Sequence, residues 1–258
     1  HFVAALDDVP EMHGVLALFE GVVTGAADGY ARMADKPAAT LLHLGPGLGN
    51  GLANLHNARK GHSSVVNIVG DHATYHKQYD AQLESDIETV ARNVSTWIRT
   101  SEATDKLPSD AAEAVAVASG PPRQVATLIL PADVSWSEGA SPAPALPATQ
   151  PAVVDQSTID EIAAILTGDE PAALFIGGMA CRADALVDAS RVANATGTKL
   201  LAETFPTRLE RGAGRVPVDR LAYLAEFAAM QLDGLQHLVI VDAKSPVSFF
   251  AYPGKASD

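Results

Sequence analysis

The stretch VLALFEGVVTGAADGYARMADKPAATLLHLGPGLGN, residues 15–50, decides how the rest of the chain is interpreted. It places one acidic residue, Glu20, inside an apolar run and then continues into an alanine-rich segment that ends in Gly29-Tyr30-Ala31-Arg32. A buried carboxylate loses its hydration, and its protonated form is favoured unless a partner compensates. Glu20 is therefore either a functional carboxylate in an apolar pocket or an exposed residue of an amphipathic helix.

Composition limits the class of protein. The 258 residues are 47% apolar and 19% charged, which is typical of one large or two ordinary globular domains. A net charge of −13 argues against nucleic acid and anionic membranes as partners, because both would repel an acidic surface. Small molecules and other proteins remain as the expected partners.

Three further features concern location and processing. The single cysteine, Cys181, excludes an intramolecular disulfide and a cysteine-rich metal site, which fits a reducing compartment. No apolar run approaches the ~20 residues of a membrane span, and no signal peptide is recognisable. A cytoplasmic location is expected. Because the chain begins at His1 within a helical pattern, we also expect preceding residues to be missing.

Helical and strand patterns alternate along the first half of the chain. Alternation of this kind predicts an α/β fold with a doubly wound parallel sheet covered on both faces. Ser109 is predicted to cap one of the helices. Helices are predicted at residues 1–6, 21–33, 50–60, 86–91 and 110–118, and strands at 14–18, 38–44, 65–69, 95–99 and 124–130.

A segment rich in Pro, Ala and Ser, residues 137–154, predicts a linker between two domains. The expected domains are therefore 1–136 and 155–258. The second has the same Rossmann-like alternation but only three predicted strands, so we expect it to be incomplete. Its helices are predicted at 155–166, 183–196 and 221–230, and its strands at 172–176, 199–202 and 237–241.

The glycine-rich turn Gly45–Gly51 lies between a strand and a helix, as a dinucleotide-binding turn would, and Asp71 ends the next strand. The required G-x-G-x-x-G spacing fails, however. Frames that start at the successive glycines place Asn50, Leu52 or Asn54 where the third glycine is needed. The proline in this turn also removes an amide that would have to face a pyrophosphate. A nucleotide-binding domain is thus a disfavoured alternative.

Several of these segments together resemble the pyrimidine-binding domain of thiamine-diphosphate enzymes, in particular the acetolactate synthase and benzoylformate decarboxylase branch. The resemblance rests on Glu20, the run Ala26–Arg32, the turn Gly45–Asn50 and the strand Val65–Gly70. Leu130–Val134 resembles the segment that closes this domain, and residues 155–258 resemble the first part of the family's central domain.

The resemblance implies a role for Glu20. In the family this glutamate hydrogen-bonds the aminopyrimidine ring of the cofactor and promotes the imino tautomer, whose nitrogen removes the proton from the thiazolium carbon. Burial among apolar side chains would supply the proton-sharing carboxyl group that this role requires. Glu20 is therefore the predicted catalytic residue, and Glu20, Gly45, Pro46, Gly47 and Asn50 are the predicted cofactor-binding residues. Asn50 also fits a helix N-cap.

The resemblance also suggests a second catalytic residue, His62, as the active-site histidine of the benzoylformate decarboxylase branch. A loop histidine that precedes a buried strand is also compatible with a plain surface position. Two further clusters remain weaker. His72 and His76 have the spacing of two metal ligands on one helical turn, without a second pair. Arg211 and Lys244 lie where FAD could be met in the central domain of acetolactate synthases. Nothing near them makes a flavin site recognisable, and a vestigial or empty central domain is the alternative.

The family's diphosphate-binding domain, with its Gly-Asp-Gly segment and Mg²⁺ ligands, has no counterpart in this chain. The resemblance implies thiamine diphosphate and Mg²⁺ as cofactors, with the metal ligands outside this chain, and a homodimer or homotetramer with the active site between chains. The predicted function is decarboxylation of a 2-oxo acid with carboligation, as in acetolactate synthase. The alternatives are a benzoylformate-decarboxylase-like enzyme that does not ligate and a non-catalytic paralogue that keeps the fold.

Overall fold

The computed structural model describes residues 1–258, which divide into two units, His1–Pro151 and Ala152–Asp258. The first unit contains helices α1 (Phe2–Ala5), α2 (Glu20–Ala34), α3 (Leu44–Lys60), α4 (Ile87–Ala91), α5 (Leu107–Ser119) and α6 (Ala132–Trp136), with strands β1 (Ala38–His43), β2 (Val65–Asp71), β3 (Trp97–Thr100) and β4 (Val125–Pro131). The second contains α7 (Gln156–Thr167), α8 (Ala183–Thr196) and α9 (Ala225–Leu232), with strands β5 (Ala172–Ile176), β6 (Lys199–Ala202), β7 (Asp219–Arg220) and β8 (His237–Val241).

Each unit is built on one parallel four-stranded sheet. The strand orders are β1-β2-β4-β3 and β7-β6-β5-β8. Alternate residues of β2 face opposite sides, so that Val65 and Val69 pack with residues of α2, α3 and α4, and Val66 packs with residues of α5. The second sheet is likewise covered on both faces, by α8 and α9. The predicted α/β class with parallel sheets is confirmed.

The strand predicted at residues 14–18 is absent, and this prediction was wrong. Val15, Leu16 and Leu18 are 87%, 92% and 98% exposed in a segment without regular secondary structure. An apolar run becomes a strand only when another strand satisfies its backbone hydrogen bonds, and no strand of the structure lies beside this one. The premise that Glu20 is buried by this run is therefore corrected as well.

Three helix starts differ from the predictions by three residues or more. α3 begins at Leu44, so the Gly-Pro-Gly turn forms its first turn and Asn50 lies inside the helix rather than at its N-cap. Proline is tolerated there because the first helical amides have no partner within the helix. α5 begins at Leu107, with Lys106 rather than Ser109 at the cap, and α9 begins at Ala225. β7 adds a short fourth strand to the second sheet.

A chain of hydrogen bonds between buried side chains crosses the first sheet. Thr40 donates to Oδ1 of Asn67 at 2.9 Å, and Nδ2 of Asn67 donates to Oγ1 of Thr127 at 3.2 Å. Ser95 and Thr127 share a further hydroxyl contact at 2.6 Å. All four side chains are buried. Asn67 thus connects β1 to β4 through β2.

We expect Asn67→Ala to lower the free energy of unfolding by about 2 kcal/mol or more, because it leaves buried hydroxyls without a partner and opens a cavity. The matched control is Asn57→Ala on the exposed surface of α3, for which a change within about 0.5 kcal/mol is expected. Denaturant unfolding of both variants measures the difference. Equal stabilities would show that the network does not support the sheet.

Candidate functional site

Glu20 is the first residue of α2, and Phe19 occupies the N-cap position with an extended backbone. The carboxylate is half-buried rather than enclosed. A negative charge in the first turn of a helix interacts favourably with the unpaired amides and the helix dipole. The Glu20 carboxylate thus lies at the surface of the unit, at the start of a helix.

Two asparagines of α3 hold the first turn of α2. Asn50 donates from Nδ2 to Oε2 of Glu20 at 3.1 Å, and Asn54, one helical turn later, donates to the carbonyl oxygen of Gly21 at 2.7 Å. Oε1 of Glu20 accepts no hydrogen bond within the chain. One carboxylate oxygen is therefore fixed, and the other remains available to a ligand.

Gly47 lies between Glu20 and His43. A Cβ atom at this glycine would lie 3.5 Å from Oε1 of Glu20 and 3.5 Å from Cβ of His43. Both residues therefore border the small space that the missing side chain leaves. His43 is exposed, ends β1 and occupies the N-cap position of α3.

His43 is a functional candidate that the sequence reasoning missed. The available signal was its position: polar residues that follow parallel strands in α/β sheets collect at the carboxyl edge, where ligands bind. The side chain at the end of β1 belongs to that edge, as does the start of α3.

The other predicted binding residues lie in the same helical turn. A Cβ at Gly45 would overlap the side chain of Ser85, so this position requires glycine for packing. Pro46 is exposed. The strand-to-helix corner before them is made by Leu44, which has a positive φ of 53°. Gly45 thus has a packing function, and Gly47 is a buried glycine next to the Glu20 carboxylate.

A cavity of about 600 Å³ opens at the carboxyl edge of the first sheet. Its walls come from the ends of β1, β2 and β4 and from the segments that follow them. Four histidines line the cavity: His1, His43, His72 and His76. The other lining residues are Phe2, Val3, Leu41, Leu44, Gly70, Asp71, Ala73, Tyr75, Leu83, Leu130, Ala132, Ser135 and Trp136.

His62 lies at the opposite edge of the sheet. It precedes β2, has a positive φ of 50°, and places Nδ1 at 3.3 Å from the carbonyl oxygen of Arg123, which precedes β4. The amino ends of parallel strands share one edge, whereas Glu20 lies with α3 at the carboxyl ends. The structure therefore does not bring His62 and Glu20 together.

Asp71 at the end of β2 is already paired. Lys77 Nζ lies 2.5 Å from Oδ2 of Asp71 and 3.2 Å from Oε1 of Glu84. Burial alone would lower the pKa of Lys77, but its hydrogen bonds to the two carboxylates outweigh that effect and raise the pKa. Asp71 is thus engaged by an internal cation and is not free for a ribose.

The histidine pair gives no metal centre. The ring centroids of His72 and His76 are 5.5 Å apart. Across the chain, no group of three or more His, Cys, Asp or Glu side chains is arranged to hold a metal ion. None of the helices combines the length and apolar character that crossing a membrane requires.

Comparison with protein families identifies the class. Residues 1–91 match the sequence model of the family described as thiamine pyrophosphate enzyme, N-terminal TPP binding domain. This segment contains Glu20, His43, Asn50 and the turn between them. The resemblance predicted from the sequence is confirmed: this part of the chain is similar to the N-terminal domain of thiamine pyrophosphate enzymes.

Two individual proteins are similar to this chain in sequence. The chain is 61% identical over 259 aligned residues to a protein of Mycobacterium tuberculosis provisionally named acetolactate synthase large subunit IlvX, covering all of this chain and 50% of that protein. It is 34% identical over 142 residues to benzoylformate decarboxylase of Pseudomonas aeruginosa, covering 54% of this chain and 26% of that protein. The chain thus spans half the length, or less, of these relatives.

A solved structure shows the same fold. A protein isolated from Mycobacterium smegmatis, provisionally described as a thiamin diphosphate-dependent enzyme, superposes with a TM-score of 0.82 at 23% identity. The match covers 93% of this chain and 47% of that one. It extends the structural likeness beyond the first unit to most of the chain.

Proposed function

We propose that this chain is part of a thiamine-diphosphate-dependent enzyme that decarboxylates a 2-oxo acid and transfers the remaining fragment to a second carbonyl compound, as an acetolactate synthase does. The observation that carries the proposal is Glu20, with Oε2 held by Asn50 and Oε1 left open beside Gly47. The 61% identity to the mycobacterial relative supports the acetolactate-synthase-like assignment.

The same proposal gives each unit a part. Residues 1–136 form the pyrimidine-binding domain, residues 137–154 the linker and residues 155–258 part of the central domain. The diphosphate and Mg²⁺ would be held by protein outside this chain, because the chain contains no arranged group of metal ligands. A cytoplasmic location also belongs to the proposal, on the basis of the single cysteine.

The residues at the carboxyl edge fit an aminopyrimidine ring. Oε1 of Glu20 can hydrogen-bond a ring nitrogen, since it has no partner within the chain. Gly47 adds no side chain between this oxygen and His43, so a flat ring can approach the carboxylate closely. Pro46 precedes Gly47 and is exposed. Thiamine diphosphate, when bound, supplies the carbon nucleophile and electron sink that decarboxylation of a 2-oxo acid requires.

His43 is the better candidate for a second proton carrier. Imidazole is a side chain suited to general acid–base catalysis, and the Cβ of His43 lies 3.5 Å from the position that a Cβ of Gly47 would take, as does Oε1 of Glu20. The catalytic role predicted for His62 stays a prediction, but its position at the amino edge favours His43 for this role.

A homodimer or homotetramer is part of the proposal, and the surface around Glu20 supports it. Large apolar side chains on the segment before α2 and on α2 itself are exposed, namely Val15, Leu16, Leu18, Phe19, Val22, Tyr30 and Met33. Contiguous exposed apolar surface of this kind marks a site of contact with other protein. We propose that a partner subunit covers it and completes the active site.

Asn50 is proposed to act through Glu20. We expect Asn50→Ala in the full-length protein to lower kcat by about tenfold or more, because the carboxylate loses the donor that orients it. Thiamine diphosphate affinity should change much less than turnover. The matched control is Asn57→Ala on the exposed side of α3, which should retain activity. Equal kcat values for both variants and the wild type would remove Asn50 from the site.

The function is tested by identifying a product. Full-length protein is incubated with Mg²⁺, thiamine diphosphate and either pyruvate or benzoylformate, and the products are separated and identified. Acetolactate supports the proposal. Benzaldehyde or acetaldehyde without a ligated product would favour the decarboxylase alternative. The 34% identity to benzoylformate decarboxylase is the observation that supports this alternative. Cofactor binding without any turnover would favour a non-catalytic paralogue.

A further inference from the structure

The first strand-to-helix turn of the second unit lies at the switch point of its sheet. β6 and β7 follow β5 on one side, whereas β8 returns to the other side, so the order reverses between β5 and β8. The turn Gly177–Met179 follows β5 directly, and Asp242 follows β8. In open α/β sheets this crevice is where the diphosphate of a dinucleotide meets backbone amides.

The amides of this turn are arranged as an anion site would be. Gly178 has a positive φ of 44°, and Met179 follows it in a short 3₁₀ helix. Successive residues of this kind point their N–H groups to one side and form a concavity that attracts negative charge.

Two carboxylates of the chain already occupy these amides. Met179 donates its N–H to Oδ2 of Asp242 at 2.6 Å, and Gly178 donates its N–H to Oε1 of Glu203 at 3.1 Å. The amide of Gly177 donates to the carbonyl oxygen of Val241 at 3.0 Å. None of the three donors remains available to a ligand.

The same side chains also fill the space next to the glycines. A Cβ at Gly177 would lie 2.5 Å from Oε1 of Glu203 and 2.8 Å from the carbonyl oxygen of Asp242. A Cβ at Gly178 would overlap the Asp242 carboxylate. In dinucleotide-binding turns, glycines leave space for the pyrophosphate. In this turn, the carboxylates of Glu203 and Asp242 occupy that space.

The local electrostatics oppose a further anion. Burial raises the pKa of the neighbouring Cys181 thiol to about 11. The Glu203 charge adds to the rise, the Arg182 charge opposes it, and the Asp242 charge adds the smallest contribution. The two cations predicted for a flavin in this region, Arg211 and Lys244, are exposed and donate no hydrogen bond to the turn.

We infer that Glu203 and Asp242 close the switch-point turn of the second unit, so that this unit takes no flavin or nicotinamide dinucleotide and the enzyme works without FAD. The statement that the enzyme works without FAD rests on the proposed function. It separates this chain from those acetolactate synthases in which the central domain holds FAD.

The test uses full-length protein. One sample is denatured, and the released flavin and thiamine diphosphate are both quantified; a second sample, loaded with Mg²⁺ and thiamine diphosphate, is titrated with FAD by fluorescence anisotropy. We expect substoichiometric flavin, no saturable FAD binding and a change in turnover below about twofold on adding FAD. Equimolar flavin, or turnover that requires FAD, would overturn the inference. Failure of the proposed function would appear separately, as lack of thiamine diphosphate binding or turnover.

A pair of variants tests the carboxylates themselves. Glu203→Ala combined with Asp242→Ala frees two amides and removes two negative charges, so the affinity for inorganic pyrophosphate should rise about tenfold or more over the wild type. The control carries Asp169→Ala and Asp184→Ala, which remove two exposed charges of the same unit. Circular dichroism checks folding, and Asp242→Ala alone replaces the double variant if that one unfolds. A pyrophosphate affinity of the wild type equal to that of the double variant, or no gain over the control, would contradict the inference.

Discussion

Glu20→Gln in the full-length protein should lower turnover by about 10²–10⁴-fold at saturating cofactor, equivalent to about 3–5 kcal/mol in the activation free energy. The amide side chain keeps the size of the carboxylate and can still accept the hydrogen bond of Asn50. It cannot share a proton with a ring nitrogen as a carboxyl group does. The loss should therefore be in kcat, with thiamine diphosphate binding largely kept.

The stability of this variant should change little, because Glu20 is half-buried at a helix start and a first-turn charge contributes about 0.3–1 kcal/mol. Glu138→Gln, at an exposed position of the same unit, is the matched control and should keep full activity. Steady-state assays with each 2-oxo acid, together with thermal unfolding, measure both effects. Near-normal turnover of Glu20→Gln would remove Glu20 from catalysis.

His43→Ala should lower kcat by about 10²-fold, because His43 borders the same space beside Gly47 as Glu20 and general acid–base catalysis contributes about 10²–10⁴-fold. A proton-transfer role also predicts that the pH dependence of kcat loses one limb in this variant, which a purely structural role would not produce.

His62→Ala is the natural comparison, since both histidines are exposed and belong to the same unit. Its kcat should stay within about twofold of the wild type, because its ring contacts the Arg123 carbonyl at the far edge of the sheet. The opposite pattern, with His62→Ala inactive and His43→Ala active, would return the catalytic role to His62.

Much of the fold could be predicted because buried parallel strands leave a strong local signal. β5, β6 and β8 have the bounds that their apolar runs predict. The segment 14–18 has the same composition, but a strand also needs a neighbour, and composition does not show whether one is present. The helical first turn of α3 was missed because Gly-Pro-Gly is typical of a loop, although proline is also favoured at helix starts.

The site was predictable only in part. The sequence identified Glu20 and Asn50, but their hydrogen bond depends on how α2 packs against α3. Burial of Glu20 was inferred from neighbours in sequence, whereas its neighbours in space are Asn50 and Gly47. His43 was not predicted because it lies 23 positions after Glu20 in the sequence. The two residues come close only where the end of β1 meets the start of α3. Closeness of that kind is set by tertiary packing.

The closed turn of the second unit depends on distant residues in the same way. Gly177 and Gly178 follow β5, at the place where open α/β sheets have their ligand-binding turns. Glu203 and Asp242 follow two other strands, and only the parallel pairing of β5 with β6 and β8 brings their carboxylates to the glycine amides.

The most direct test of the central claim is the rate at which the thiazolium carbon of bound thiamine diphosphate exchanges its proton for deuterium. It is measured by quenched-flow NMR on full-length wild type and Glu20→Gln, with cofactor occupancy determined on the same samples. If Glu20 supports proton removal from the cofactor, exchange in the variant should be slower by about 10²–10⁴-fold at equal occupancy. Equal exchange rates in the two proteins would contradict this role for Glu20.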